Sequence, residues 1–401
     1  MNYRLFRYVT GVLLWACCSL SPVGAQDPFM VHFHNNRSWY NPAFTGIRGS
    51  AMFSAKYKTQ WQSARVKPFE TKFFNYEESL ACQNIYDYGI QLLQDEEGAG
   101  MLRTWMVGGK ISASFLFFDD GYHSMTTRFG LNFQWGGKRL DFNKLSFADQ
   151  LDFKYGLFDA FGNPNQTTFI IPEDAGTSRT FFAPALGFVN QHVVERNQNR
   201  QPYYITYGAS LHNVLDLINP RQFGNDESLL GIGTTLASRY TLHAAVELYP
   251  FNRNRDIISL RPQVFFQRQE QLQYWETGLR AGWNNLTALS VFYHSSRWAN
   301  PERTNTNWLS IAIEFNQILG ELSDSQSRLD LGFSYSIGVS GLKNRVGPIL
   351  EFGIAYHLSY SPMCSSRRNG KHDLRAGKNR HLCPKVSNSH RKLYENIWYK
   401  K

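Results

Sequence analysis

From Leu329 to Ser340 the chain alternates: Leu329, Leu331, Phe333, Tyr335, Ile337 and Val339 are separated by Asp330, Gly332, Ser334, Ser336 and Gly338. Successive strand side chains point to opposite faces, so this spacing predicts a strand with one bulky face and one small, polar face. The arrangement returns at Leu350, Phe352, Ile354, Tyr356, Leu358 and Tyr360, at Phe129, Leu131, Phe133 and Trp135, and at Leu242, Ala244, Val246 and Leu248. Apolar residues at helical spacing are weak throughout. About fourteen strand-like segments begin near residues 51, 68, 83, 104, 122, 177, 201, 232, 255, 272, 285, 307, 328 and 347, each of roughly the length that crosses a tilted barrel wall. Asn284-Asn285, Gly136-Gly137 and Asp119-Asp120-Gly121 supply turn chemistry between neighbours. The stretches 141–176 and 214–231 alternate poorly and read as long loops.

Two architectures fit such a pattern, a soluble sandwich or propeller and a membrane barrel. After Ala25 there is no run of about 18 apolar residues, so a helical span is not available. In lipid every backbone donor and acceptor must pair internally, and a sheet does that only by closing on itself. Gly, Ser, Ala, Asn and Gln crowd the face opposite the bulky one, whereas a soluble sandwich more often carries charge there. Tyr and Trp fall near segment ends, as interfacial girdles require. The expectation is an all-β, antiparallel, transmembrane outer-membrane β-barrel of about fourteen strands.

Charge sharpens the division of the chain. Only 18% of the 401 residues are charged and 15% are aromatic, with a net charge of +10. Residues 1–25 read as a secretory signal, with Arg4 and Arg7 ahead of an apolar stretch and Val23-Gly24-Ala25 at the cleavage position. Cys17 and Cys18 make a lipoprotein signal the rival reading, against which Trp15 puts a bulky group where small residues are wanted. Residues 361–401 carry eleven Lys or Arg against Asp373 and Glu395, which leaves the barrel segment 26–360 at −1. The basic balance therefore belongs to a tail, and a nucleic-acid surface is not indicated. Arg367, Arg368, Lys371, Arg375, Lys378, Arg380, Leu393 and Trp398 are the candidate partner-binding residues of that tail, which is expected in the periplasm. Its basic groups could meet an acidic partner or lipid phosphates; the alternative is a solvated extension.

Few residues offer chemistry. Asp119, Asp120 and His123 could form an acid–base group, but a polar hairpin turn explains the same cluster. His32 and His34 share a face of an extended segment, yet no third ligand is near. Cys364, His372, His381, Cys383 and His390 lack zinc-knuckle spacing, and an oxidising compartment leaves a Cys364–Cys383 disulfide or free thiols open, with Cys82 apart from both. No catalytic, metal or cofactor residue is assigned, so the expected class is non-enzymatic.

The chain further resembles the PorP/SprF family of outer-membrane proteins associated with type IX secretion and gliding in Bacteroidetes-type bacteria. The residues that carry the likeness are Gln26-Asp27-Pro28-Phe29, Asn41-Pro42-Ala43-Phe44-Thr45-Gly46, Tyr57-Lys58-Thr59-Gln60-Trp61 and Gly98-Ala99-Gly100. Lys144 to Gln150, Arg239 to Ala244, Tyr335-Ser336-Ile337 and Gly341-Leu342-Lys343-Asn344 follow in the family's order. The resemblance implies an outer-membrane barrel that supports export or surface attachment of particular secreted proteins. It implies as partners periplasmic and outer-membrane secretion machinery, a secreted surface client and outer-membrane lipid. A porin-like solute channel and an outer-membrane hydrolase are the alternatives. Asn41-Pro42 and Gly46 read as chain punctuation on the periplasmic side, either setting the approach to the first strand or forming an ordinary turn.

Overall fold

The computed structural model describes residues 29–32, 35–47, 51–61, 67–79, 86–98, 102–120, 122–142, 145–170, 178–194, 203–218, 236–253, 256–284, 286–298, 306–316, 328–339 and 347–358, with the pairs 367–368 and 371–372. Its strands are β1 (Met52–Gln60), β2 (Phe69–Ser79), β3 (Tyr86–Glu97), β4 (Leu102–Asp119), β5 (His123–Arg139), β6 (Ser178–Phe182), β7 (Ala185–Val194) and β8 (Tyr203–His212). They continue as β9 (Arg239–Arg253), β10 (Asp256–Gln269), β11 (Leu272–Trp283), β12 (Thr287–Trp298), β13 (Thr306–Phe315), β14 (Arg328–Gly338) and β15 (Ile349–His357). Each pairs antiparallel with its neighbour, and β1 closes on β15 from Met52↔His357 to Gln60↔Ile349. Closure leaves no lipid-exposed edge, which is the condition for a sheet in a membrane.

The wall has fourteen strands because β6 and β7 are one strand in two pieces. Both pair with β5 in a single register, Trp135↔Phe182 on one side of the break and Asn132↔Ala185 on the other. Pro184 stands at the interruption, where a missing N–H and a fixed φ break a ladder. The segments expected from alternation match these strands, with one shift: the strand expected from about 232 begins at Arg239, and Leu236 instead turns into the interior apolar cluster.

The faces fall as the alternation requires. Phe129, Leu131, Phe133 and Trp135 are exposed on the outside of β5, while Arg128, Asn132 and Gln134 are buried inside. Phe333, Tyr335 and Ile337 of β14 and Leu289, Val291 and Tyr293 of β12 continue the outer band. Met52 and His357 mark one rim, here the proximal rim; the opposite one is the distal rim. Trp105, Trp135, Trp275 and Tyr240 ring the outside near the distal ends of their strands, and Tyr86 and Trp283 stand at the proximal ends. Such rings suit the two membrane–water interfaces.

Connections differ between the rims. The long loops expected at 141–176 and 214–231 fall between β5 and β6 and between β8 and β9, whose facing ends are distal, whereas β4–β5, β9–β10 and β11–β12 turn within three residues at the proximal rim. Asp120 accepts the N–H groups of Tyr122 and His123 at 2.9 and 2.6 Å in the β4–β5 turn, and Asn284 takes the left-handed conformation at φ 51° in the β11–β12 turn. The turn expected at Gly136-Gly137 is not one. Both residues lie within β5, where the Phe181 ring packs over Gly136 and the Trp105 indole over Gly137. Glycine there makes room for an aromatic ring, which sequence cannot distinguish from a turn signal.

Candidate functional site

Ahead of β1, residues 29–32 and 35–47 lie in the lumen between the distal and the proximal rim. Phe29 packs on Tyr274 at 4.4 Å and Trp308 at 6.1 Å between ring centroids, and Lys58 donates to its carbonyl. These three partners each stand two residues inside the distal ends of β11, β13 and β1. At the other end the Gly46 N–H donates to Glu77 at 3.2 Å, two residues inside the proximal end of β2. Met30, Val31, His32, Trp39, Tyr40, Asn41, Ala43, Phe44, Thr45 and Ile47 are all buried.

Local sequence explains the path. A single helical turn, Arg37–Tyr40, ends at Asn41, whose φ of −143° and ψ of 112° are the extended geometry imposed by the following proline. Asn41 then caps the 3-10 turn Pro42–Phe44 by accepting the Ala43 N–H at 3.0 Å. Gly46, at φ +71°, lies so close to Asp87 that a Cβ would collide with it. The Asn-Pro-Ala-Phe-Thr-Gly run is therefore a wedge inside the lumen, next to the rim at which β1 begins.

Wall side chains grip the backbone of this plug. Arg128 donates through Nε to the Ala43 carbonyl at 2.9 Å and through Nη2 to the Thr45 carbonyl at 2.6 Å. The same guanidinium meets Asp87 at 2.6 Å and Ser114 at 2.7 Å, and the pair is almost wholly buried. Lys110 reaches Glu77 at 3.0 Å and the Ser38 hydroxyl at 3.0 Å. Glu351 accepts the Val31 N–H at 2.8 Å and Asn36 Nδ2 at 3.2 Å. Asn41 Nδ2 reaches the carbonyls of Phe188 and Ala209 at 3.0 and 3.1 Å, which belong to two different wall strands. Charged groups in a low-dielectric lumen are tolerable only with such partners.

Apolar contacts complete the seat. Trp39 packs edge-on to Phe73 at 5.7 Å, Tyr40 lies 4.8 Å from Phe265, and the Arg239 guanidinium stands 5.4 Å over Trp39. Burying aromatic side chains of this kind contributes about 1.5–3 kcal/mol each. Where backbone meets wall there is no room for side chains at all. Gly130 and Gly187 face each other across the β5–β7 ladder, and Asn41-Pro42-Ala43 lies directly on them. Beside Asn35, Phe73, Asn75 and Glu77 a cavity of about 40 Å³ remains, room for a few water molecules but not for a solute.

Of the residues singled out from sequence, His32 lies in the plug against Phe292, with ring centroids 5.1 Å apart, and His294 beyond it at 5.9 Å. His34 lies outside the described residues. Asp120 forms the hairpin turn, and His123 faces His192 at 3.1 Å rather than a carboxylate. In the tail Arg367–Arg368 pairs antiparallel with Lys371–His372; Arg375, Lys378, Arg380, Leu393 and Trp398 lie outside the described residues, as do Cys82, Cys364 and Cys383. Sequence reasoning missed Arg128, Lys110, Glu77, Glu351, Gly130 and Gly187 as a set. Their signal was present as buried charge and paired glycines at inward positions, but it becomes readable only once register is known.

Solved structures match the chain at low identity. The CymD monoaromatic hydrocarbon channel has a TM-score of 0.40 and 10% identity over 81% of this chain and 93% of that one. CdiB from Acinetobacter baumannii has a TM-score of 0.39 and 8% identity over 76% of this chain, which spans 60% of CdiB. A Pseudomonas aeruginosa FadL homologue has a TM-score of 0.36 and 8% identity over 84% of this chain and 100% of its own. No curated protein matches the chain in sequence. The family model of the type IX secretion system membrane protein PorP/SprF matches residues 23–356, plug and wall together. On that match the chain belongs to the PorP/SprF family, an outer-membrane component of type IX secretion.

Proposed function

We propose that this chain acts as a closed outer-membrane platform that supports export or surface attachment of particular secreted proteins without passing them through its own lumen. The observation that supports the reading is the largely buried course of residues 29–32 and 35–47 between the two rims. A porin needs a water-lined path at that level, and here the inward Arg128, Lys110 and Glu351 are turned onto the plug. Outer-membrane barrels place short turns in the periplasm and long loops outside, so the distal rim faces the exterior. The proximal rim, with the basic tail beyond it, then meets periplasmic secretion machinery. No side chain is assigned a covalent step, and the platform is non-enzymatic.

Purified mature protein reconstituted in planar bilayers is expected to give no stable conductance steps. Large, long-lived steps from the intact chain would replace the platform with the solute channel. Deleting residues 361–401 should leave the heat-modifiable barrel band intact while reducing co-purification of periplasmic partners after crosslinking. Loss of that band on truncation would make the tail part of the barrel's fold and remove it as a docking segment.

A further inference from the structure

The distal loop between β5 and β6 is built unlike an ordinary surface connection. From residue 145 to 170 it is held by its own polar groups: Asp152 and Gly156 exchange backbone hydrogen bonds at 2.7 and 3.0 Å, and Asp159 N–H donates to the Asn163 carbonyl at 2.8 Å. The Asp152 carboxylate accepts the Lys154 and Tyr155 N–H groups at 2.7 and 2.8 Å, and the Asp159 carboxylate accepts those of Phe161 and Asn163, both at 2.8 Å. At the base, Asp149 accepts from the Thr168 N–H at 2.6 Å and the Thr167 hydroxyl at 3.0 Å, and Phe147 stacks on Phe169 at 4.7 Å. Those hydrogen bonds hold the Asp149 and Asp159 carboxyls below the usual carboxylate range, led by the Thr168 and Asn163 N–H groups respectively.

What this frame displays is apolar. Phe153 is 100% exposed, Phe161 90% and Ile170 85%, with Leu151 and Phe158 also mainly exposed. Phe153 and Phe161 sit in the two Asp-anchored turns, so each turn fixes one aromatic outward at little further ordering cost on binding. Large apolar side chains exposed together on one short, ordered segment point to an interaction site. Lipid is a poor occupant. Much of the backbone between 151 and 170 is irregular and outside any ladder, and unpaired backbone groups are not tolerated in hydrocarbon. Asn163, Asn165 and Gln166 also interleave with the aromatics. A protein can offer apolar pockets and hydrogen-bonding groups together. Residues 145–170 carry Asp149, Asp152 and Asp159 against Lys154, which favours a partner surface with a basic rim.

We infer that loop 145–170 is a preformed docking surface for an exported protein, with Phe153 and Phe161 entering apolar pockets rimmed by Lys or Arg. This rests on the platform reading and names where the client meets it. The test uses the full chain in its own cells. Photoreactive benzoylphenylalanine replaces Phe153 or Phe161, with Phe133 on the lipid face of β5 as control, and Phe153→Ser/Phe161→Ser is scored in parallel. Both loop probes are expected to crosslink to one exported polypeptide. The double variant should keep the heat-modifiable barrel and lower cell-surface retention of that same polypeptide by about tenfold or more, the scale of losing two aromatic anchors. Crosslinks confined to lipid, or unchanged retention in the double variant, would overturn the docking surface. Deleting the whole chain separates the two ideas. If surface retention survives that deletion, the platform reading itself fails; if it is lost there but not in the double variant, only the loop assignment fails.

Discussion

Arg128→Ala is expected to release the plug while leaving the wall assembled. The guanidinium meets five partners at once: the Ala43 and Thr45 carbonyls of the plug, the Asp87 carboxylate of β3, and the Ser112 and Ser114 hydroxyls of β4. Removing one member of a buried ion pair costs about 3–5 kcal/mol, because the remaining charge keeps its desolvation without its partner. That cost, borne by Asp87, is relieved when the plug leaves and water reaches the carboxylate, whereas the ladders on both sides of β5 are backbone bonds that the substitution does not touch. Hydrogen–deuterium exchange in detergent should show faster exchange across residues 29–47 and unchanged exchange in β9 to β12, together with new conductance in planar bilayers. Arg128→Lys keeps the charge but cannot reach both carbonyls in the fork geometry of a guanidinium, so it should fall between the two. Unchanged protection of residues 29–47 in Arg128→Ala would mean that the apolar seat alone holds the plug.

The wall was legible in sequence and the plug was not, and the reason is physical. Period-two alternation survives in β5, β12 and β14 because lipid on one side and a packed interior on the other impose opposite demands on neighbouring residues. Pro184 reads equally well as a loop signal or as a gap in a strand, and only the shared register of β6 and β7 with β5 decides it. The plug follows no period. Phe29, Trp39, Tyr40 and Phe44 are spaced to meet Tyr274, Phe73, Phe265 and His243 on four different strands, so their order along the chain carries no repeat. Asn41-Pro42 and Gly46 were readable as punctuation, yet the same residues serve a turn in water and a wedge in a lumen. What distinguishes the two is the inward charge of Arg128, Lys110, Glu77 and Glu351. A lumen with open water would not need to bury these groups, and a filled one must pair them.

Gly130→Leu carries that distinction to a direct result: a barrel that forms normally and stands open. A side chain at Gly130 would point into the lumen and strike the Pro42 and Ala43 backbone, and one at Gly187 opposite would strike the Asn41 side chain. Overpacking against a flexible side chain costs about 1–3 kcal/mol, but here the obstacle is main chain already fixed by Arg128 and by the Asn41 cap, so relief requires the plug to leave. The atoms nearest to a Cβ at Gly130 belong to the plug and not to the wall, and lumen-facing positions of a barrel are spared the cost that lipid-facing ones carry. Gly109→Leu supplies the control. Gly109 lies on the adjoining strand and faces the lipid, with nothing within 4 Å of the place a Cβ would occupy, so the same change of residue should leave the plug seated. The expected pattern is therefore a heat-modifiable band in both variants, and stable conductance with protease-sensitive residues 29–47 in Gly130→Leu alone. Conductance in both variants would trace the leak to general loosening of β4 and β5. Silence in both would mean that the wall bends around the wedge, and that the closed lumen does not depend on the paired glycines beneath Asn41-Pro42.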